Sequence, residues 1–159
     1  MKKIFILLLL CLPLVHGIAQ DKKYKTLLKD MNSMLKNAEE FNYIFEPDFK
    51  IVQPYQIKEG ILSVIIKGKA NDELLTRKYE APIADIKDFV MDIYYVLSFR
   101  SESVVISDLT DGKWKETGRL DYFHIGRARE SETHKWSGRF REELNNLFPD
   151  LQNEYEWMD

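Results

Sequence analysis

Cysteine is all but missing from this chain: the one that occurs, Cys11, lies among the first nineteen residues. A cut after Ala19 leaves a domain with no thiol, which excludes disulfide stapling, thiolate catalysis and cysteine-ligated zinc from the mature part. Asn-x-Ser/Thr acceptors do not occur. Glycine motifs are lacking as well: Gly112, Gly118, Gly126 and Gly138 stand apart, and neither Gly-x-x-x-x-Gly-Lys nor Gly-x-Gly-x-x-Gly is present to cradle a nucleotide phosphate. Ser98, Ser101, Ser103 and Ser107 lie in no Gly-x-Ser-x-Gly elbow or Ser-x-x-Lys pair. Carboxylates, by contrast, are so numerous that no pair of them singles itself out for glycoside hydrolysis.

What is present begins with an export label. Lys2 and Lys3 form a positive stretch, Ile4 to Val15 is apolar, and Gly17-Ile18-Ala19 places small residues around a cleavage point. The expectation is a signal peptide over 1–19, a globular domain over 20–151 and an acidic tail over 152–159. The apolar run is shorter than the roughly twenty residues a bilayer demands, and no second one follows, so a membrane-spanning protein is not expected. Leu10 stands before Cys11 where a lipoprotein signal places a small residue, which disfavours lipidation. A bacterial protein, periplasmic or secreted, fits best.

The leader holds two of the 23 basic residues and none of the 26 acidic ones, leaving the mature chain a formal charge of minus five. That sign argues against nucleic acid or an anionic membrane as an overall partner while leaving room for a local basic patch.

Periodicity supplies the architecture. Leu27, Leu28, Met31, Leu35, Ala38 and Phe41 recur at spacings of three and four, which predicts an amphipathic helix. Phe49 to Ile57 alternates, Lys58-Glu59-Gly60 reads as a turn, Ile61 to Lys67 is β-branched, and a third strand covers about 74–79. Pro54 marks the first of these as an edge or bulged strand. Ile83, Ile86, Phe89, Val90 and Ile93 return to helical spacing. Strands are then expected over 92–99, 103–109 and 113–125, with a tight turn at Asp111-Gly112 and a bulge at Gly118. Trp136, Phe140, Leu144, Leu147 and Phe148 stripe a final helix that ends at Pro149.

These elements predict an α+β fold, a curved antiparallel meander of about six strands packed by an N-terminal and a C-terminal helix. The alternative is a small barrel with a C-terminal helix, whose element order resembles pleckstrin-homology-like folds without a shared motif.

Chemistry is thinly signalled. His124 and His134 are the mature chain's two imidazoles; with Asp121, Glu130 and Glu132 they match no metal-ligand spacing, and no metal or cofactor is expected. Asp85, Asp88 and Asp92 lack the every-second-residue pattern and glycine of a calcium loop. One region departs from the acidic average: from Lys113 to Arg141, eight basic residues face four acidic ones. Arg119, His124, Arg127, Arg129, His134 and Arg139 are the candidate patch for an anionic ligand, near the aromatic rings of Tyr122, Phe123 and Trp136. The expected function is a non-enzymatic exported module that binds a small anionic ligand or a partner protein. The alternatives are a small hydrolase using His124 or carboxylates as acid and base, and a structural envelope protein working through an exposed apolar patch.

Overall fold

The computed structural model describes residues 22–41, 49–70, 73–91, 94–126, 133–149 and 151. Residues 1–19, expected to be a leader, and the whole acidic tail 152–159 lie outside them. Among the described residues the order is α1 (Lys25–Phe41), β1 (Lys50–Lys58), β2 (Ile61–Ala70), β3 (Glu73–Pro82), a 3-10 turn (Ile83–Asp85), β4 (Ile86–Met91), β5 (Tyr95–Phe99), β6 (Val104–Thr110), β7 (Lys113–Leu120), β8 (Tyr122–Gly126) and α2 (Thr133–Leu147). All strand pairings are antiparallel, in a five-stranded sheet β1-β2-β3-β6-β7 and a three-stranded sheet β4-β5-β8. The fold is thus the expected α+β class, and it does not close into a barrel.

Strand number and one helix differ from expectation, for identifiable reasons. The described part of the run expected to be helical, 83–91, is not a helix. Ile83 and Ile86 flank a single 3-10 turn, and β4 gains an extra residue at Lys87 between the pairs Ile86/Phe99 and Asp88/Ser98. That irregularity turns Ile86 and Phe89 to the same buried side three residues apart, which imitates a helical period. The long segment 113–125 is two strands, because the chain bends at Asp121 and passes from the large sheet to the small one.

Three chain segments make this passage. β3 leads into β4, β5 into β6 and β7 into β8, and the small sheet is in effect the bent continuation of three strands of the large one. At the corner the backbone ladder is carried across: Ile83 N–H donates to Gly60 C=O at 2.8 Å, Arg100 N–H to Asp85 C=O at 2.8 Å, and Phe99 N–H to Asp121 C=O at 2.7 Å. Turn chemistry fits the sequence. Glu59 and Gly60 (φ 53° and 79°) and Asp111 and Gly112 (φ 52° and 73°) both adopt the left-handed pair of a tight hairpin, in which glycine costs nothing. Pro54 sits in edge strand β1, whose register shifts on either side of it, and Thr117 is the extra residue of a bulge beside Gly118.

Bending leaves two sheet edges, β1 and β8, facing each other without pairing. Helix α1 covers that seam. Leu27, Met31, Met34 and Leu35 are buried against Phe49, Tyr55, Ile57, Leu97, Phe123 and Ile125, and α2 adds Phe140 and Leu144, the former 4.8 Å from the Phe89 ring. On the β1 edge, Asn32 answers the backbone of Tyr55 twice: its amide donates to Tyr55 C=O at 2.9 Å and its carbonyl accepts from Tyr55 N–H at 2.7 Å. The Tyr55 hydroxyl crosses the seam and donates to His124 C=O at 2.6 Å, with Ile125 C=O at 3.4 Å. At Gly126 the helix comes so close that a Cβ would stand 2.6 Å from Met34 Cβ and 3.0 Å from its backbone carbonyl.

Two stability outcomes are expected. Gly126→Ala pushes backbone against backbone and costs about 1–3 kcal/mol in urea denaturation, whereas Gly138→Ala, on an open helical site, gains about 0.5–1 kcal/mol; equal effects would refute this packing. Asn32→Ala and Tyr55→Phe each remove a partner from buried backbone groups and lower stability by about 1–3 kcal/mol, and a double variant falls short of the sum because both act on one seam.

Candidate functional site

The corner and the two helix ends together frame a cleft. The cleft has a volume of about 440 Å³, and its walls are Tyr24, Ile83, Ile86, Leu147, Phe148 and Leu151, with Gly60, Ala84 and Pro149 between them. Each wall follows from local structure. Tyr24 immediately precedes α1 and stacks on Phe148 just beyond α2, ring centroids 6.4 Å apart and planes at 15°, which ties the start of one helix to the end of the other. Past Leu147 the chain stays wound, as Phe148 N–H donates to Leu144 C=O and Leu151 N–H to Phe148 C=O. Opposite, the 3-10 turn carrying Ile83 is fixed by the Gly60 bond.

Two cations, Lys23 and Arg100, line this cleft, in which polar and apolar groups are about equally exposed. Arg100 stands in a bend whose next residue, Ser101, has φ 60°, and the Arg100 carbonyl accepts from the hydroxyls of both Ser101 and Ser103. Those bonds hold the backbone while the exposed guanidinium faces solvent. The Lys23 ammonium lies 5.3 Å from the Tyr24 ring centroid. Among the described residues the lining contains neither histidine nor carboxylate. Such a space suits a molecule with an apolar body and an anionic end.

The described candidates named from sequence lie on β7, β8 and α2. Arg119, on β7, is exposed and forked on Glu116 at 2.7 and 3.1 Å. It lines a second cleft of about 400 Å³ with Glu80, Asp85, Ser103 and apolar neighbours. Arg139, on α2, reaches Asp30 on α1, with Nη2 3.1 Å from Oδ1 and 2.9 Å from Oδ2; Asp30 is 2% exposed. Beside it, burial and then the nearby Asp30 charge push the Glu143 carboxyl above its ordinary range. His124, on β8, is half-buried between the edge-on rings of Tyr94 and Tyr122, at 5.7 and 5.2 Å. Its Nδ1 is buried without a hydrogen-bond partner among the described residues, and desolvation depresses its pKa. His134 lies in the first turn of α2 with its side chain outside the described residues; Arg127 and Arg129 lie wholly outside them. Among the described residues no cluster of three or more metal-binding side chains occurs.

Other charged groups serve as braces. Arg77 and Asp108 sit directly opposite on β3 and β6 and pair at 2.7 and 3.1 Å, which raises the guanidinium pKa and lowers that of the carboxyl. Asp88, within the run expected to be helical, is buried, and its Oδ1 accepts from Phe89 N–H at 2.7 Å. Lys23 and Arg100 carried no local signal in the sequence. Both adjoin segments that read as a helix start and a turn, but only the bent sheet brings them to one cleft.

The chain matches no family model, no curated protein and no solved structure.

The His124 environment sets a pH dependence. Burial favours the neutral imidazole, so the unfolded chain binds the extra proton first, and His124 withdraws stability as pH falls below about 6.5. The thermal midpoint of His124→Gln, compared with wild type between pH 7 and 5, should fall less steeply. Parallel curves would show that this imidazole is not held neutral by the fold.

Proposed function

We propose that this protein is an exported, non-enzymatic binding module whose cleft between the helix ends and the sheet corner takes a small amphipathic anion. The observation that carries this reading is the lining: apolar side chains from both helix ends and the corner alternate with polar groups, and Lys23 and Arg100 are the charged side chains among its described residues. Its volume of about 440 Å³ falls within the usual span of small-molecule sites. An anionic head would pair with the Arg100 fork and the Lys23 ammonium, while an aliphatic or aromatic body lies against Tyr24, Ile83, Ile86 and Phe148. The export half of the proposal is supported by the Lys2-Lys3 stretch, the apolar run and the small residues before Gln20.

Acid–base chemistry has little support in this cleft, since a hydrolytic site needs a base beside a nucleophile or water and the described lining residues include no histidine or carboxylate. The fixed backbone of the corner also suits recognition, because a preformed cavity loses little entropy on binding.

A thermal-shift series tests the reading with alkyl and aryl carboxylates against the matching alcohols. A ligand at a hundred times its Kd stabilises by about 2.7 kcal/mol, so carboxylates should raise the midpoint by several degrees and alcohols by much less. Arg100→Glu should abolish the preference for the anion, and Ile83→Trp, which fills the cleft, should abolish the rise altogether. No shift with any compound, or a shift that survives Ile83→Trp, overturns the proposal.

A further inference from the structure

The outer face of the five-stranded sheet, turned away from both helices, has a composition unlike the rest of the molecule. Strand alternation sends Lys50 and Lys58 of β1, Lys67 and Lys69 of β2, Lys78 of β3 and Arg119 of β7 to this side. The same face carries two acids, Glu80 and Glu116. Both are already engaged within it: Glu80 lies 2.6 Å from the Lys78 ammonium, and Glu116 holds Arg119. Lys50, Lys58, Lys67 and Lys69 have no ion-pair partner among the described residues. A protein of net negative charge thus gathers four uncompensated lysines on one sheet face.

The exposed apolar side chains follow the same segregation. Among the described residues six large hydrophobic side chains are exposed, and five of them, Val52, Ile61, Leu74, Leu109 and Trp114, belong to this face. The two most exposed, Val52 at 55% and Leu74 at 61%, adjoin the lysines. Leu74 is directly opposite Lys69, and Val52 stands next to the pair Lys50/Lys67. Lys50 and Lys67 are themselves directly opposite, although like charges so placed repel and weaken a sheet. Local stability does not call for this arrangement.

We infer that this sheet face docks on an anionic lipid bilayer surface. Lysines scattered among aliphatic side chains and a tryptophan suit a planar, fluid partner: the ammonium groups meet headgroup phosphates while the apolar tips enter the interface. The face is too short of free arginine forks and open aromatic platforms to favour nucleic acid. Its one arginine is held by Glu116, and the Lys78 ammonium already covers the Trp114 ring at 4.9 Å. The acidic overall charge does not oppose docking, because beyond about a Debye length of 8–10 Å the rest of the molecule is screened. This surface lies apart from the helix-end cleft, and the inference does not rest on the ligand proposed for it.

Vesicle co-sedimentation decides the matter, using the chain from Gln20 onward, which retains every described element. Phosphatidylcholine vesicles are compared with vesicles in which a third of the lipid is phosphatidylglycerol. Partition should be confined to the anionic vesicles and should fall steeply with added salt. The triple variant K50Q/K67Q/K69Q should lose on the order of a hundredfold in partition with an unchanged or slightly higher thermal midpoint, since the Lys50/Lys67 repulsion is relieved. Leu74→Ser should weaken partition several-fold and leave its salt dependence intact. Arg100→Glu, which removes the anion preference of the cleft, should bind vesicles like wild type, so the two proposals fail separately. Equal partition into neutral and anionic vesicles, or full binding by the triple variant, overturns the inference. Binding to soluble polyglutamate without binding to vesicles also overturns it, and assigns the face to an acidic protein.

Discussion

A bent sheet leaves open edges, and the structure depends on how one seam is closed. At the edge of β1 the Tyr55 N–H and C=O would face an apolar interior unpaired, at a cost comparable to a lost hydrogen bond each. Asn32 meets both groups with one side-chain amide, standing in for the strand that a closed barrel would have supplied. From the same residue the phenol reaches carbonyls of β8, so one tyrosine joins helix, large sheet and small sheet. Burial holds that phenol protonated as a donor, its pKa well above the ordinary value.

The helices take their places from this seam. Because α1 lies against β1 and β8 with Met34 over Gly126, its first turn falls beside the sheet corner, where Tyr24 meets Phe148. α2 is bound to α1 through the buried Asp30 and its partner Arg139, and through Phe140 in the common core. A buried carboxylate of this kind adds little net stability against an apolar pair, but it penalises any other seating of the two helices strongly. The cleft is therefore a by-product of fixed positions: two helix ends and one strand corner that cannot move independently.

Charge is distributed by the same logic. Arg77 and Arg119 of the strands and Arg139 of α2 are tied to Asp108, Glu116 and Asp30. Lysines, with flexible stems and strongly hydrated heads, remain on the uncovered sheet face among exposed aliphatic side chains. Forked pairs stiffen the scaffold; point charges on long stems adapt to what lies outside it. The acidic total of the chain conceals this division, since it sums over faces that point in opposite directions.

Much of the fold was legible in the sequence because helical and alternating periods record one-sided burial: α1, α2, both tight hairpin turns, the Pro54 edge and the Gly118 bulge all declare themselves locally. The segment 83–93 did not, since a 3-10 turn followed by a bulge mimics the spacing of a helix. The single run 113–125 hid a corner, because a strand that changes sheets keeps its alternation. The candidate site was less legible still. Counting charges between Lys113 and Arg141 found Arg119 and Arg139, which the fold ties to carboxylates, and passed over Lys23 and Arg100, which lie 77 positions apart, and the lysines of β1 and β2. Local burial patterns fix which side chains avoid water, so the sequence by itself determined the elements and their faces. Which faces meet, which cations keep a partner and where a cleft opens depend on contacts between residues far apart in the chain, and those were decided only by the tertiary structure.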